Sequence, residues 1–110
     1  MTSEQMNFSQ YQKLAMETAV YPRNEKTALT YTALGLASEA GEYAGKVKKL
    51  LRDAEWNRAV ASAELGDCLW YIAACADALG IDLQTVAQDN INKLKDRKAR
   101  NVIGGSGDDR

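Results

Sequence analysis

Histidine is absent from this 110-residue chain, and cysteine occurs only twice, at Cys68 and Cys75. Those shortages exclude the usual zinc sites, the Glu-x-x-His di-iron sites and every catalytic scheme built on imidazole. The two cysteines share one expected helix and lie roughly 10 Å apart along its axis, too far for a disulfide within it. They read as small buried hydrophobes. An excess of positive charge is missing too: 14 Lys and Arg against 15 Asp and Glu leave a net charge of −1, so no overall basic field recruits nucleic acid. No apolar run approaches the roughly 20 residues that span a bilayer. The opening MTSEQMNFSQYQ has neither the basic nor the apolar region of a secretory signal. The expectation is a cytoplasmic protein with no membrane and no nucleic-acid partner. Any metal it binds must be held by oxygen, which points to magnesium, with manganese as a substitute.

Proline is nearly absent as well, with Pro22 alone, and no run of alternating β-branched residues suggests a strand. The pattern predicts an all-α, four-helix bundle-like domain over residues 1–103, followed by a Gly-rich tail, GGSGDDR, at 104–110. Helix one is expected over Ser9–Val20, with Phe8, Tyr11, Leu14, Ala15 and Ala19 at helical spacing. Pro22 then breaks the helix by disfavouring helical geometry at Tyr21. Helix two is expected over Thr27–Arg52, with Leu36, Ala40, Tyr43, Val47 and Leu50 as its apolar stripe. Gly35, Gly41 and Gly45 would there admit a close neighbour. Helix three is expected over Asn57–Leu79, with Leu65, Leu69, Ile72, Ala76 and Leu79 in line and Gly80 ending it. Helix four, capped by Asp82, is expected over Leu83–Arg100, turning Leu83, Val86, Ala87, Ile91 and Leu94 inward. Helix three is apolar nearly all round, so it belongs at the centre of a bundle or of an oligomer.

Two acids stand in that dry helix. Glu64 and Asp67 are spaced to share a face, and helix two repeats the device with Glu39 and Glu42. If the helices pack side by side, four carboxylates converge, and without a counter-charge their repulsion and desolvation would cost several kcal/mol each. Divalent cations resolve the conflict, and Mg²⁺ completes its shell with waters and substrate phosphates. The plainer alternative places Glu39 and Glu42 on a solvated face, paired with Lys46 and Lys49. Helix four adds a stripe of the opposite sign, Asn90, Lys93 and Arg97, suited to polyphosphate oxygens. The same stripe is also compatible with a solvated basic helix end that favours its own dipole.

These residues resemble the MazG-like, all-α nucleoside triphosphate pyrophosphohydrolases. The likeness rests on Glu39-x-x-Glu42, Glu64-x-x-Asp67, the downstream NINKLKDR and the ending RKARNVIGGSGDDR, and it runs nearly end to end. Ser38 stands where glycine is common in that family, and Asp109 where asparagine is usual. The resemblance implies cleavage of a nucleoside triphosphate between its α- and β-phosphates, giving the monophosphate and pyrophosphate. It implies Mg²⁺ held by Glu39, Glu42, Glu64 and Asp67, and homodimers or homotetramers with sites at subunit contacts. An activated water would attack the α-phosphorus in line, with Glu39 or Glu42 taking the proton. Asn90, Lys93, Arg97 and Lys46 are the candidate phosphate-binding residues, and Tyr71 and Trp56 the candidate base-binding ones. Deoxynucleotides, dGTP or dCTP ahead of the others, are the expected substrates. The rival reading is a non-catalytic helical module that binds nucleotide or nucleic acid, the latter through Lys93, Lys95, Arg97, Lys98 and Arg100.

Overall fold

The computed structural model describes residues 5–110, so the first four residues of the expected domain lie outside it. The described chain forms four helices and no strand: α1 (Phe8–Met16), α2 (Glu25–Asp53), α3 (Arg58–Ala78) and α4 (Leu83–Ala99). Each start is set by a short polar side chain. Asn7, Asn24, Asn57 and Asp82 accept from the backbone N–H of Gln10, Thr27, Val60 and Gln84, satisfying donors that a helix start leaves open. Past the end of α3, Gly80 takes the left-handed conformation expected of it, with φ 71°.

Helix one stops at Met16 rather than continuing to Val20. The Thr18 hydroxyl donates to the Ala15 carbonyl at 2.7 Å and accepts from Trp70 Nε1 at 2.9 Å, which turns the chain towards α3 before Pro22 is reached. Tyr21 then buries itself, stacked on Tyr31 with ring centroids 4.7 Å apart and edge-on to Trp70.

α3 is the hub. α2 returns along one side of it as an antiparallel hairpin across a short connection, while α1 and α4 pack on it elsewhere and on each other. Neither α1 nor α4 packs on α2. The polar attachment of α1 runs mainly through Gln12. Its amide donates to the carbonyls of Ile81 and Ala73 at 3.0 and 3.3 Å and accepts from the Leu83 N–H at 3.0 Å. Ser9 adds a 2.7 Å hydrogen bond to Asp82.

The core differs from the stripes expected of it. Among the described residues, Ala15, Ala28, Ala61, Ala73, Ala74 and Ala76 are buried, and only Tyr21 and Leu83 join them as large apolar residues. Leu65 and Leu79, expected inward, are 51% and 61% exposed, and Phe8, Leu14, Leu50, Ile72, Val86, Ile91 and Leu94 also face outward. The reason is geometric. Helices meeting through alanine faces approach too closely for leucine or isoleucine to lie between them, so the larger side chains turn away from the seam. Both cysteines are half-buried and free.

α3 is also the one described helix long and apolar enough to cross a membrane, with a mean hydropathy of 1.2. This exceeds what the sequence suggested, because Arg58–Ala78 continues unbroken through its acids. Those acids lie on the side where α2 packs.

Of the three glycines expected to admit a neighbour, only Gly35 does, with the Tyr71 ring lying where a Cβ would stand. Gly41 and Gly45 face open space. Gly35→Ala is therefore expected to destabilise the protein by about 1–3 kcal/mol through overpacking, offset by up to about 1 kcal/mol of helix propensity. Gly41→Ala, with no such clash, should gain up to about 1 kcal/mol. Urea unfolding of the two variants in EDTA measures both signs.

Candidate metal centre

The antiparallel register of α2 and α3 brings Gly35 against Tyr71 and, one turn on, Glu39 against Glu64 and Asp67. One carboxylate oxygen from each of these three acids lies within 4.8 Å of the other two. Glu39 and Glu64 are half-buried and Asp67 is exposed. Glu42 is exposed and stands outside this group, although its charge still reaches Glu39. The expected quartet is thus a close triad with a fourth acid one turn away.

The triad is held against its own repulsion. Glu39 has its carboxyl raised above the ordinary range, first by desolvation and then by the charges of Asp67, Glu64 and Glu42. Tyr11 on α1 is raised as well, by burial and then by Asp67. Among the described residues none of the four acids forms an ion pair, so the expected alternative of pairing with Lys46 and Lys49 is not found. Those lysines instead line a recess of about 210 Å³ with Glu55, Asn57 and Val60, where α2 passes into α3. Three hard carboxylate oxygens at this spacing, with no nitrogen or sulfur donor in the group, have the chemistry to hold a hard metal cation.

Aromatic side chains adjoin the triad. The Tyr71 phenol is raised by the Tyr31 hydroxyl, then by burial, with the Glu39 charge adding to both. The Tyr71 ring lies 6.4 Å from that of Tyr31. Sequence reasoning singled out Tyr71 but missed Tyr31. The signal was present: Tyr31, Gly35 and Glu39 recur every fourth residue and share one face of α2. Tyr31 also borders a recess of about 400 Å³ with Lys26, Thr27, Thr30 and Leu34. Trp70 packs against α1 and Tyr21. Trp56 lies half-exposed between α2 and α3 and stacks on no other described aromatic residue.

The basic stripe sits apart. α4 does not pack on α2, so one chain does not bring Asn90, Lys93 and Arg97 to Glu39 through that helix pair. Asn90 edges an apolar recess of about 240 Å³ with Phe8, Leu69, Ile72, Leu83 and Val86. Lys93 is half-buried, and Arg97 is only 3% exposed. Both meet the tail. The Asp108 carboxylate accepts from Lys93 Nζ at 3.2 Å and from Arg97 Nη2 at 3.1 Å.

Comparison with known proteins gives two matches. The profile of the MazG nucleotide pyrophosphohydrolase domain matches residues 26–102, a span that contains both acid pairs and the basic stripe. The chain is also similar to the gene 37 protein of Mycobacterium phage L5, at 47% identity over 114 residues, covering 96% of this chain and 100% of that protein. No solved structure matches.

The raised carboxyl of Glu39 has a signed consequence for stability. Below the ordinary glutamate range the group is neutral in both folded and unfolded chains. As pH rises the unfolded chain ionises first, so metal-free folded protein loses stability until Glu39 has titrated in the folded state too. In EDTA, Glu39→Gln should therefore melt higher than the parent at pH 7, and the difference should shrink through about pH 4 and vanish near pH 3. Melting curves across that range check it.

Proposed function

Since the chain belongs to the MazG nucleotide pyrophosphohydrolase family, we propose that it hydrolyses a nucleoside triphosphate between the α- and β-phosphates, releasing the monophosphate and pyrophosphate in a Mg²⁺-dependent reaction. The observation that carries this reading is the convergence of Glu39, Glu64 and Asp67 from two helices with no cation paired to them.

Those three carboxylates would hold the metal. When bound, a divalent cation draws phosphate oxygens into the cleft and makes a water easier to deprotonate. Glu42, outside the three-oxygen group, is the carboxylate left to accept that proton. Lys46 lies along the same helix towards the α2–α3 connection, where its ammonium can meet a phosphate oxygen. Asn90, Lys93 and Arg97 neutralise and orient the departing pyrophosphate. Tyr71 offers the base a face next to the triad, and Trp56 can do so from a neighbouring subunit. Deoxynucleotides are the proposed class, with dGTP or dCTP first.

The site is proposed to be completed by assembly in the cytoplasm. Leu34, Leu51, Leu65 and Leu79 are each more than half exposed, apolar area that a second copy would cover. A homodimer or homotetramer would also supply α4 cations that one chain keeps away from its own α2. The nucleic-acid alternative is less favoured, because a net charge of −1 gives the chain no overall basic field to attract a polyanionic strand.

Incubation with a panel of deoxynucleoside triphosphates and Mg²⁺ should yield monophosphate and pyrophosphate, whereas orthophosphate release would mean a different bond is broken. Asp67→Asn is expected to lower turnover by about a thousandfold or more while circular dichroism stays helical. Sedimentation should show a dimer or tetramer at micromolar concentration, and Leu65→Glu should shift it towards monomer.

A further inference from the structure

The tail is a folded object with its own hydrogen bonds. Gly105 and Gly107 take positive φ, 92° and 85°, which lets residues 104–110 double back on α4. Arg110 closes the loop by donating from Nε to Val102 O at 3.2 Å, from Nη2 to Ile103 O at 3.1 Å and from Nη1 to Gly107 O. Arg100 Nη2 donates to Arg110 O at 2.8 Å. Inside this loop Arg97 Nη2 reaches both the carbonyl and the carboxylate of Asp108, each at 3.1 Å. Arg97 Nε, although buried, has no hydrogen-bond partner.

Lys93 and Arg97 are the paired cations of α4, a single carboxylate bridges them, and Arg97 has a side chain only 4% exposed. A cation so covered cannot meet a substrate phosphate while the cover is in place. On the tail side the cover is open to water: the Asp108 side chain is 79% exposed, so its half of the pair with the buried Arg97 is accessible to solvent and salt. The buried Nε donor of Arg97 is left without a partner in this closed arrangement. A polyphosphate can take that donor as well, since it carries more charge and more oxygens than one carboxylate.

We propose that Asp108 is an internal competitor for the Lys93–Arg97 cation pair, occupying it when no polyphosphate is bound and yielding it, with the tail, when one arrives. This rests on the reading of Lys93 and Arg97 as phosphate-binding residues. Return of Asp108 after hydrolysis would in turn help expel pyrophosphate. The tail is then a latch whose strength is set by one carboxylate.

The test uses inorganic pyrophosphate as the probe, in EDTA, so that the metal centre takes no part and the result is independent of turnover. Calorimetry compares the parent, Asp108→Asn, a chain ending at Ile103, and Asp109→Asn as a neighbouring control that lies outside the bridge. Asp108→Asn and the shortened chain should bind pyrophosphate roughly three- to tenfold more tightly, in keeping with loss of one solvent-exposed competing carboxylate. Asp109→Asn should stay within about twofold of the parent. In the parent, the amide resonances of Gly107 and Asp108 should shift as pyrophosphate is added. Unchanged or weaker binding in both altered chains overturns the proposal, as does absence of pyrophosphate binding in every chain. Tighter binding in both chains without hydrolysis under Mg²⁺ would uphold the latch and remove the enzymatic reading instead.

Discussion

Like charges can be held together only where something else forces the backbones near, and here that is the α2–α3 seam. Thr32 is almost fully buried along it, its hydroxyl turned back to the Ala28 carbonyl at 2.8 Å. Gly35 lets the Tyr71 ring lie against the helix, and Ala61 and Ala74 add only methyl groups. With the register fixed this way, Glu39 has no rotation of its helix available that would separate it from Glu64 and Asp67. Shifting α2 by one residue would move Glu39 about 100° round its axis and lose the packing at Gly35. The acid triad is therefore a consequence of small residues elsewhere on the same two helices.

The helices were largely legible in the sequence, because their signals are local. Asn57 and Asp82 before apolar periodic runs, and Gly80 after one, act within a turn or two of chain. The acid pairs were legible for a related reason: a three-residue spacing forces two side chains onto one face whatever the fold. Two such pairs, one on each of two adjoining helices, predict convergence once the hairpin closes, and the triad meets it. Glu42 shows the limit of that reasoning. Sharing a face with Glu39 places it near the group, but an antiparallel crossing carries it a turn beyond the acids of α3.

What the sequence hid depends on distances between helices. Periodicity says which residues share a face, and it does not say whether the facing backbone is near enough to leave room for leucine. Leu65 and Leu79 thus read as core and stand outside, while Ala73 and Ala74, modest in any pattern, are fully buried. The stripe of Asn90, Lys93 and Arg97 was visible as a stripe. Its coverage by Asp108 was not, because that contact depends on a doubled-back tail formed by glycine torsions. Tyr31 differs, since its four-residue spacing from Gly35 and Glu39 was visible; only its stacking on Tyr21, in an irregular segment, was not.

The alanine seam also bears on order. An alanine methyl has no side-chain torsion to freeze, so each one buried gives contact without loss of rotamer freedom, whereas fixing a long aliphatic or thioether chain forfeits that freedom. A scaffold assembled this way draws its rigidity from how near the main chains run rather than from interlocked side chains. Its inner seam is correspondingly indifferent to side-chain motion.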